Sequence, residues 1–110
     1  MNILEETRDG VCLISASGRL DSGSAGQLEA VLPPRVQSHE RVVLDLKDCA
    51  YVSSAGLRVL LLGAKAARST GHRLALCGLS PSVREVFDIS GFTALFTLEK
   101  DVDSALAALP

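Results

Sequence analysis

Hydrophobic and polar positions follow two different periods along this 110-residue chain. Short apolar runs at residues 3–8 and 11–17 are joined by Asp9-Gly10, a dipeptide typical of a tight hairpin because both turn positions tolerate positive φ. After the second run, stretches with apolar residues at helical spacing alternate with short continuous apolar runs. The pattern therefore predicts an antiparallel hairpin followed by alternating helices and strands.

The later boundaries are indicated by capping residues and helix breakers. We expect strands at residues 41–46, 73–77 and 95–98, and helices that begin at Ser22 or Ser24, at Ser54, at Ser80, and at Asp101 or Asp103. Pro33-Pro34 is expected to end the first of these helices, since proline cannot continue the hydrogen-bond ladder. The predicted fold class is α/β: one domain over residues 1–110, with a mostly parallel sheet of four to five strands, an antiparallel N-terminal edge strand and about four helices.

The centre of the chain is Tyr51-Val52-Ser53-Ser54-Ala55-Gly56-Leu57, which connects the apolar strand predicted at residues 41–46 to a long helix. Good helix formers continue to residue 70, and Gly71 supplies a stop. Two serines therefore lie where the helix begins. One interpretation is an N-cap; the other is a hydroxyl presented for chemistry or modification at a position suited to anions.

Helical spacing from Ser54 places a polar stripe on the outward face of this helix. Its members are Ser54, Arg58, Leu61, Lys65 and Arg68. Leu61 is the apolar residue in this stripe, which suggests an anchor for a partner. In this arrangement Leu62 can turn towards the sheet. The alternative is a helix rotated by one residue, with Leu61 in the core.

Composition excludes several classes of function. The net charge of −2, with one Tyr, three Phe and no Trp, provides neither a basic field nor stacking aromatics for nucleic acid. The apolar run at 59–64 is too short to span a bilayer, so no membrane insertion is expected. Glu5 and Glu6 stand where a signal peptide would be basic, and we expect a cytoplasmic protein.

The sequence predicts neither a metal site nor a bound cofactor. Its three cysteines, Cys12, Cys49 and Cys77, are widely spaced among apolar residues and are expected to be buried reduced thiols. There is no CxxC pair, no phosphate-binding loop of the Gly-x-x-x-x-Gly-Lys type and no dinucleotide fingerprint.

An enzyme is not predicted either, and no catalytic residue is assigned. A nucleophile elbow would need glycine where Val52 stands. His39 and His72 lie in polar loop contexts and are expected to be solvated. Asp21 and Asp45 lie at strand ends, where capping explains them.

The chain resembles the STAS domain family and, within it, the bacterial anti-sigma factor antagonists. The resemblance spans nearly the whole chain and is carried by the order and spacing of four segments: Gly18-Arg19-Leu20-Asp21, Val43-Leu44-Asp45-Leu46, Ser53-Ser54-Ala55-Gly56-Leu57, and Ser80-Pro81-Ser82-Val83-Arg84-Glu85-Val86-Phe87 with Ile89-Ser90-Gly91 after it.

This resemblance implies a partner switch controlled by phosphorylation. In such proteins the unphosphorylated form binds an anti-sigma factor serine kinase of the histidine-kinase-like ATPase type and frees the sigma factor. Phosphorylation blocks binding, and a metal-dependent serine phosphatase restores it. Matched on Gly56-Leu57, the phosphoacceptor is Ser54. The family often has Asp-Ser-Ser/Thr-Gly here, whereas this chain has Ser53 and Ala55 around Ser54.

The departure leaves Ser53 as a rival acceptor and Asp21 as the acidic residue expected near the acceptor hydroxyl. The predicted partner-binding residues are Asp21, Ser53, Ser54, Gly56, Arg58, Leu61, Lys65 and Arg68. Two other functions stay open: a STAS docking subunit of another assembly, such as a lipid-transport ATPase complex or a stress-signalling scaffold, and a small serine hydrolase.

Overall fold

A six-stranded sheet forms the centre of the fold in a computed structural model that describes residues 1–110. In chain order the strands are β1 (Asn2–Arg8), β2 (Val11–Leu20), β3 (Arg41–Asp45), β4 (Cys49–Val52), β5 (Arg73–Cys77) and β6 (Thr97–Glu99). The spatial order is β1-β2-β3-β5-β6, and β4 pairs with β2. Only the β1–β2 pairing is antiparallel, so the predicted fold class is confirmed.

The helices cover the two faces of the sheet unequally. They are α1 (Ala25–Glu29), α2 (Leu32–Ser38), α3 (Ser54–Thr70), α4 (Pro81–Ile89) and α5 (Val102–Ala108), with a 3-10 turn at Phe92–Leu95. The first four helices share one core of 21 buried residues with the sheet. Helix α5 covers the opposite face through a smaller core of 7 buried residues, which includes Ala105 and Leu109.

The hairpin between β1 and β2 is the one that the sequence predicts. Asp9 and Gly10 have φ of 55° and 77°, and Arg8 lies opposite Val11 in the register. Two successive residues with positive φ match the right-handed twist of the strands that they connect.

The expectation that Pro33-Pro34 ends the first helix is wrong. Helix α1 ends at Glu29, and both prolines lie in the first turn of α2. The amides of a first helical turn have no partner within the helix, so proline loses nothing there and its fixed φ favours the helical conformation. The predicted single helix is therefore two short ones.

Two further elements differ from the prediction. The strand expected at residues 95–98 is β6, which begins at Thr97, because Phe92–Leu95 forms the 3-10 turn. Phe96 then packs its ring 5.5 Å from that of Phe87, centroid to centroid. Strand β4 is an additional strand, since a run of four residues is too short to be distinguished from the loop before α3.

The three cysteines are buried and free, as predicted. Burial raises the pKa of each thiol, and the pKa of Cys77 rises to about 12 through burial together with the nearby carboxylate of Asp45. These thiols therefore stay protonated at neutral pH.

The last residues of β2 pair with β4 instead of β3. Residues 12–15 of β2 pair with β3, whereas Gly18 lies opposite Cys49 and Arg19 opposite Tyr51, so Ala50 of β4 is the extra residue of a bulge. Gly18 has φ of 106°, a conformation that favours glycine. The end of β2 is thereby brought beside the start of α3.

Candidate functional site

The two serines at the start of α3 have different structural roles. Ser53 is the N-cap: its backbone is extended, with φ −89° and ψ 176°, and its hydroxyl accepts a hydrogen bond from the Gly56 amide at 3.3 Å. Ser54 is the first residue of the helix and is exposed. The capping interpretation therefore applies to Ser53, and the Ser54 hydroxyl has no hydrogen-bond partner within the chain.

Gly56 allows α3 to approach the end of β2 closely. A β-carbon at this position would lie 2.6 Å from Leu20 Cγ and 2.9 Å from the Leu20 carbonyl oxygen. The same carbonyl accepts a hydrogen bond from the Ser53 amide at 2.8 Å. Two of the segments that carry the family resemblance are thus in direct contact, and the contact fixes where Ser54 lies.

Asp21 follows Leu20 and stabilises its own loop. Its carboxylate accepts hydrogen bonds from the Gly23 amide at 3.0 Å and the Ser24 hydroxyl at 3.3 Å, and Arg19 lies 3.6 Å away. Desolvation acts to raise the pKa of Asp21, but these hydrogen bonds and Arg19 together hold it below its ordinary value. Asp21 is ionised at neutral pH and makes no hydrogen bond to Ser53 or Ser54.

Sequence reasoning missed an exposed pair beside Asp21. The Arg19 guanidinium lies 4.1 Å from the centre of the Tyr51 ring, and Tyr51 is 42% exposed. The two residues are adjacent across strands β2 and β4. A cation over an aromatic face contributes about 0.5–1 kcal/mol at an exposed site, so the pair orders both side chains near the start of α3.

The outward stripe of α3 is largely as the spacing predicts. Arg58, Lys65 and Arg68 are exposed, while Leu61 is half-buried and belongs to neither core. Leu60 is fully buried, so the helix is not rotated to bring Leu61 into the core. Leu62 is also half-buried and lines a groove beside Pro33 and Pro34 of α2.

One ion pair connects this stripe to a neighbouring helix. Arg58 Nη1 lies 3.4 Å from Glu29 Oε1 at the end of α1, and the two side chains are 67% and 44% exposed. The pair spans 29 residues of sequence, which is why local spacing gave no indication of it. Such exposed ion pairs contribute about 0–1 kcal/mol, so separating this pair costs little free energy.

Both histidines lie at the far end of the molecule from Ser54. His72 follows α3, whose 17 residues span about 25 Å. The prediction that His72 is solvated is wrong. The residue is half-buried, and its Nδ1 lies 2.7 Å from the Val36 carbonyl oxygen. His39 is exposed just before β3, whose first residue is beside that of β5. No histidine is within reach of Ser54, so a Ser–His pair is not formed.

Comparison with known proteins assigns the family. The family model described as STAS domain matches residues 2–105. The chain belongs to the STAS domain family. No helix of this STAS domain combines the length and apolar character needed to cross a bilayer.

Relatives of this STAS domain are named as anti-sigma factor antagonists. The protein BtrV of Bordetella bronchiseptica, which is named in this way, is 46% identical over 109 residues, covering 98% of this chain and 94% of BtrV. A crystal structure of an anti-sigma factor antagonist from Mycobacterium paratuberculosis is 29% identical with a TM-score of 0.86, covering 98% and 92% of the two chains.

The Bacillus cell fate determinant SpoIIAA, solved in its phosphorylated form, has the same fold. It is 18% identical with a TM-score of 0.73, covering 97% of this chain and 98% of SpoIIAA. At this identity the likeness concerns the fold alone.

Proposed function

We propose that this protein is an anti-sigma factor antagonist whose binding to an anti-sigma factor is switched off by phosphorylation of Ser54. The name of the Bordetella relative supports the first part, since that protein matches almost the full length of this chain. The observation that carries the second part is the exposed Ser54 hydroxyl at the first position of a long helix that is otherwise held by buried contacts.

Ser54 is preferred to Ser53 as the acceptor on structural grounds. The Ser53 oxygen already accepts the Gly56 amide, and Ser53 is half-buried. A kinase would have to break the helix cap to modify it. Ser54 offers a free hydroxyl on a rigid backbone, so a kinase site can reach it without unfolding the helix.

The charge of the phosphate explains how one modification could control binding without unfolding the domain. Phosphorylation adds about −1.5 to −2 charges and, at a helix N-terminus, is favoured by the helix dipole. A partner that covers the same surface would have to bury that charge beside the ionised Asp21. Each 1.4 kcal/mol of such a penalty lowers affinity about tenfold.

The partner that this proposal requires is an anti-sigma factor with serine kinase activity. Its contact surface is proposed to include Asp21 after β2, Ser53 and Ser54 at the start of α3, and the stripe residues Arg58, Leu61, Lys65 and Arg68. The prediction of Gly56 as a contact residue is wrong, because Gly56 is buried against Leu20. A metal-dependent serine phosphatase would reverse the modification. The domain itself acts as a binding regulator in this scheme and supplies no catalytic group.

Mapping the phosphosite tests the assignment. A Ser54→Ala variant serves as bait to capture the kinase from the native cell, and the purified kinase is then incubated with ATP, magnesium and each variant. Peptide mass spectrometry should find one phosphate on Ser54 in the wild type and in Ser53→Ala, and none in Ser54→Ala. Phosphate on Ser53, or continued labelling of Ser54→Ala, would refute the assignment.

A further inference from the structure

We propose that Arg58 exchanges partners when Ser54 is phosphorylated. Its guanidinium separates from Glu29 of α1 and binds the phosphate on Ser54. This inference rests on the proposed function and adds a regulatory device to it. The observation behind it is the ion pair between Arg58 Nη1 and Glu29 Oε1, which at 3.4 Å is one of the contacts between α1 and the outward stripe of α3.

The geometry of α3 places Arg58 within reach of a phosphate. Ser54 and Arg58 are four residues apart and therefore on the same face, with their β-carbons about 6 Å apart. The guanidinium now contacts Glu29, and because helical side chains lean towards the N-terminus, a change of rotamer can carry it to Ser54. A guanidinium binds a phosphate through two parallel hydrogen bonds, a geometry that its single contact with Glu29 does not use.

Competition favours the phosphate over the glutamate. A phosphoserine carries nearly twice the charge of a carboxylate and three acceptor oxygens. Arg19, the cation beside Asp21, has two partners, because it also lies over Tyr51. Arg58, by contrast, has the one contact with Glu29. Lys65 is two further turns along the helix. Arg58 is thus the cation that is free to move.

The exchange would change the surface in two ways. It moves the positive charge of Arg58 from the end of α1 to Ser54, and it breaks the ion pair of the Glu29 carboxylate, which shares a groove with Lys65. The negative potential of phosphorylation would then extend from Ser54 across to the end of α1. A partner that docks on both helices would be repelled at two places by one modification.

A phosphorus NMR titration tests the exchange. Phosphoserine is placed at position 54 of the full chain by genetic-code expansion, so that the result does not depend on any kinase. A nearby guanidinium stabilises the dianionic phosphate, so Arg58→Gln should raise its second pKa by about 0.5 unit. Arg68→Gln is the matched control: it lies about 21 Å along the helix, beyond the screening length, and should cause no shift.

The role of Glu29 is tested by a double-mutant cycle. Glu29→Gln should lower the second pKa of the phosphate in the presence of Arg58, because it frees the guanidinium, and the shift should largely disappear in the Arg58→Gln background. An unchanged pKa in Arg58→Gln, or an equal effect of Glu29→Gln with and without Arg58, would overturn the proposal. Neither result bears on the phosphosite mapping. The titration in turn remains valid if the mapping fails, because its phosphoserine is introduced without a kinase.

Discussion

The two faces of α3 differ in what holds their side chains. On the inner face, Leu57, Val59 and Leu60 are buried against the sheet, and Gly56 and Gly63 allow close approach of neighbouring side chains. On the outer face, Arg58 makes the ion pair with Glu29 and Leu61 is half-buried outside both cores. The inner face therefore determines the fold, whereas packing does not explain the composition of the outer face.

Adjacent leucines provide the strongest test of this difference. Leu60→Ala should lower the free energy of unfolding by about 2–5 kcal/mol, since Leu60 is fully buried and its truncation leaves a cavity. Leu61→Ala should lower it by about 1 kcal/mol or less, because a half-buried side chain loses only part of its transfer free energy. Urea denaturation of both variants measures the contrast, and equal losses would contradict it.

The same Leu61→Ala variant tests the outer face as a binding surface. We expect it to weaken binding to the anti-sigma factor by about 1–2 kcal/mol, roughly five- to thirtyfold, as for an anchor residue at the centre of an interface. Binding titrations with Leu62→Ala as a neighbouring control determine whether the loss is specific. Unchanged affinity would remove Leu61 from the proposed interface.

The two buried glycines should respond differently to alanine. Gly56→Ala places a β-carbon 2.6 Å from Leu20 Cγ and 2.9 Å from a backbone oxygen. We expect a loss of about 1–3 kcal/mol in the free energy of unfolding. At Gly63 the nearest atom, 2.9 Å away, is the terminal Cδ2 of Leu32. Leu32 and Leu74, whose Cδ2 would lie 3.2 Å away, are buried and must shift, but no backbone atom is among these contacts. Alanine also gains about 1 kcal/mol of helix propensity, so Gly63→Ala should cost less than Gly56→Ala. A larger loss at Gly63 would show that the inner face is packed differently.

The smallest expected effect distinguishes the two serines. Ser53→Ala removes the N-cap and should cost about 1 kcal/mol of stability. Ser54→Ala removes a hydroxyl that has no partner within the chain, and its free energy of unfolding should not differ measurably from that of the wild type. If Ser54→Ala proves to be the more destabilising variant, then Ser54 has a structural role that the geometry does not reveal.

Local signals were sufficient to predict most elements of the fold. Asp9-Gly10 specifies its hairpin, Ser80-Pro81 begins α4, and Gly71, with φ of 75°, ends α3. The stripe on α3 follows from helical periodicity alone. Each of these signals acts within a few residues, which is why a single sequence is enough to detect it.

The features that escaped prediction depend on contacts between distant residues or on an ambiguous signal. Arg19 meets Tyr51, and Arg58 meets Glu29, only after the strands and helices have packed. Pro33-Pro34 is compatible both with the end of one helix and with the start of the next, and tertiary packing decides between them. Which serine caps α3 also became clear only from the backbone conformation of Ser53.

The central claim, that charge at Ser54 controls binding, is tested most directly by the affinity of Ser54→Asp for the anti-sigma factor. Ser54→Ala serves as the uncharged control, and Ser82→Asp, at an exposed position in the first turn of α4, controls for adding a negative charge to another helix start. Ser54→Asp should bind at least about tenfold more weakly, with a melting temperature within a few degrees of the wild type, while both controls bind normally. Affinity of Ser54→Asp equal to that of the wild type would contradict the central claim.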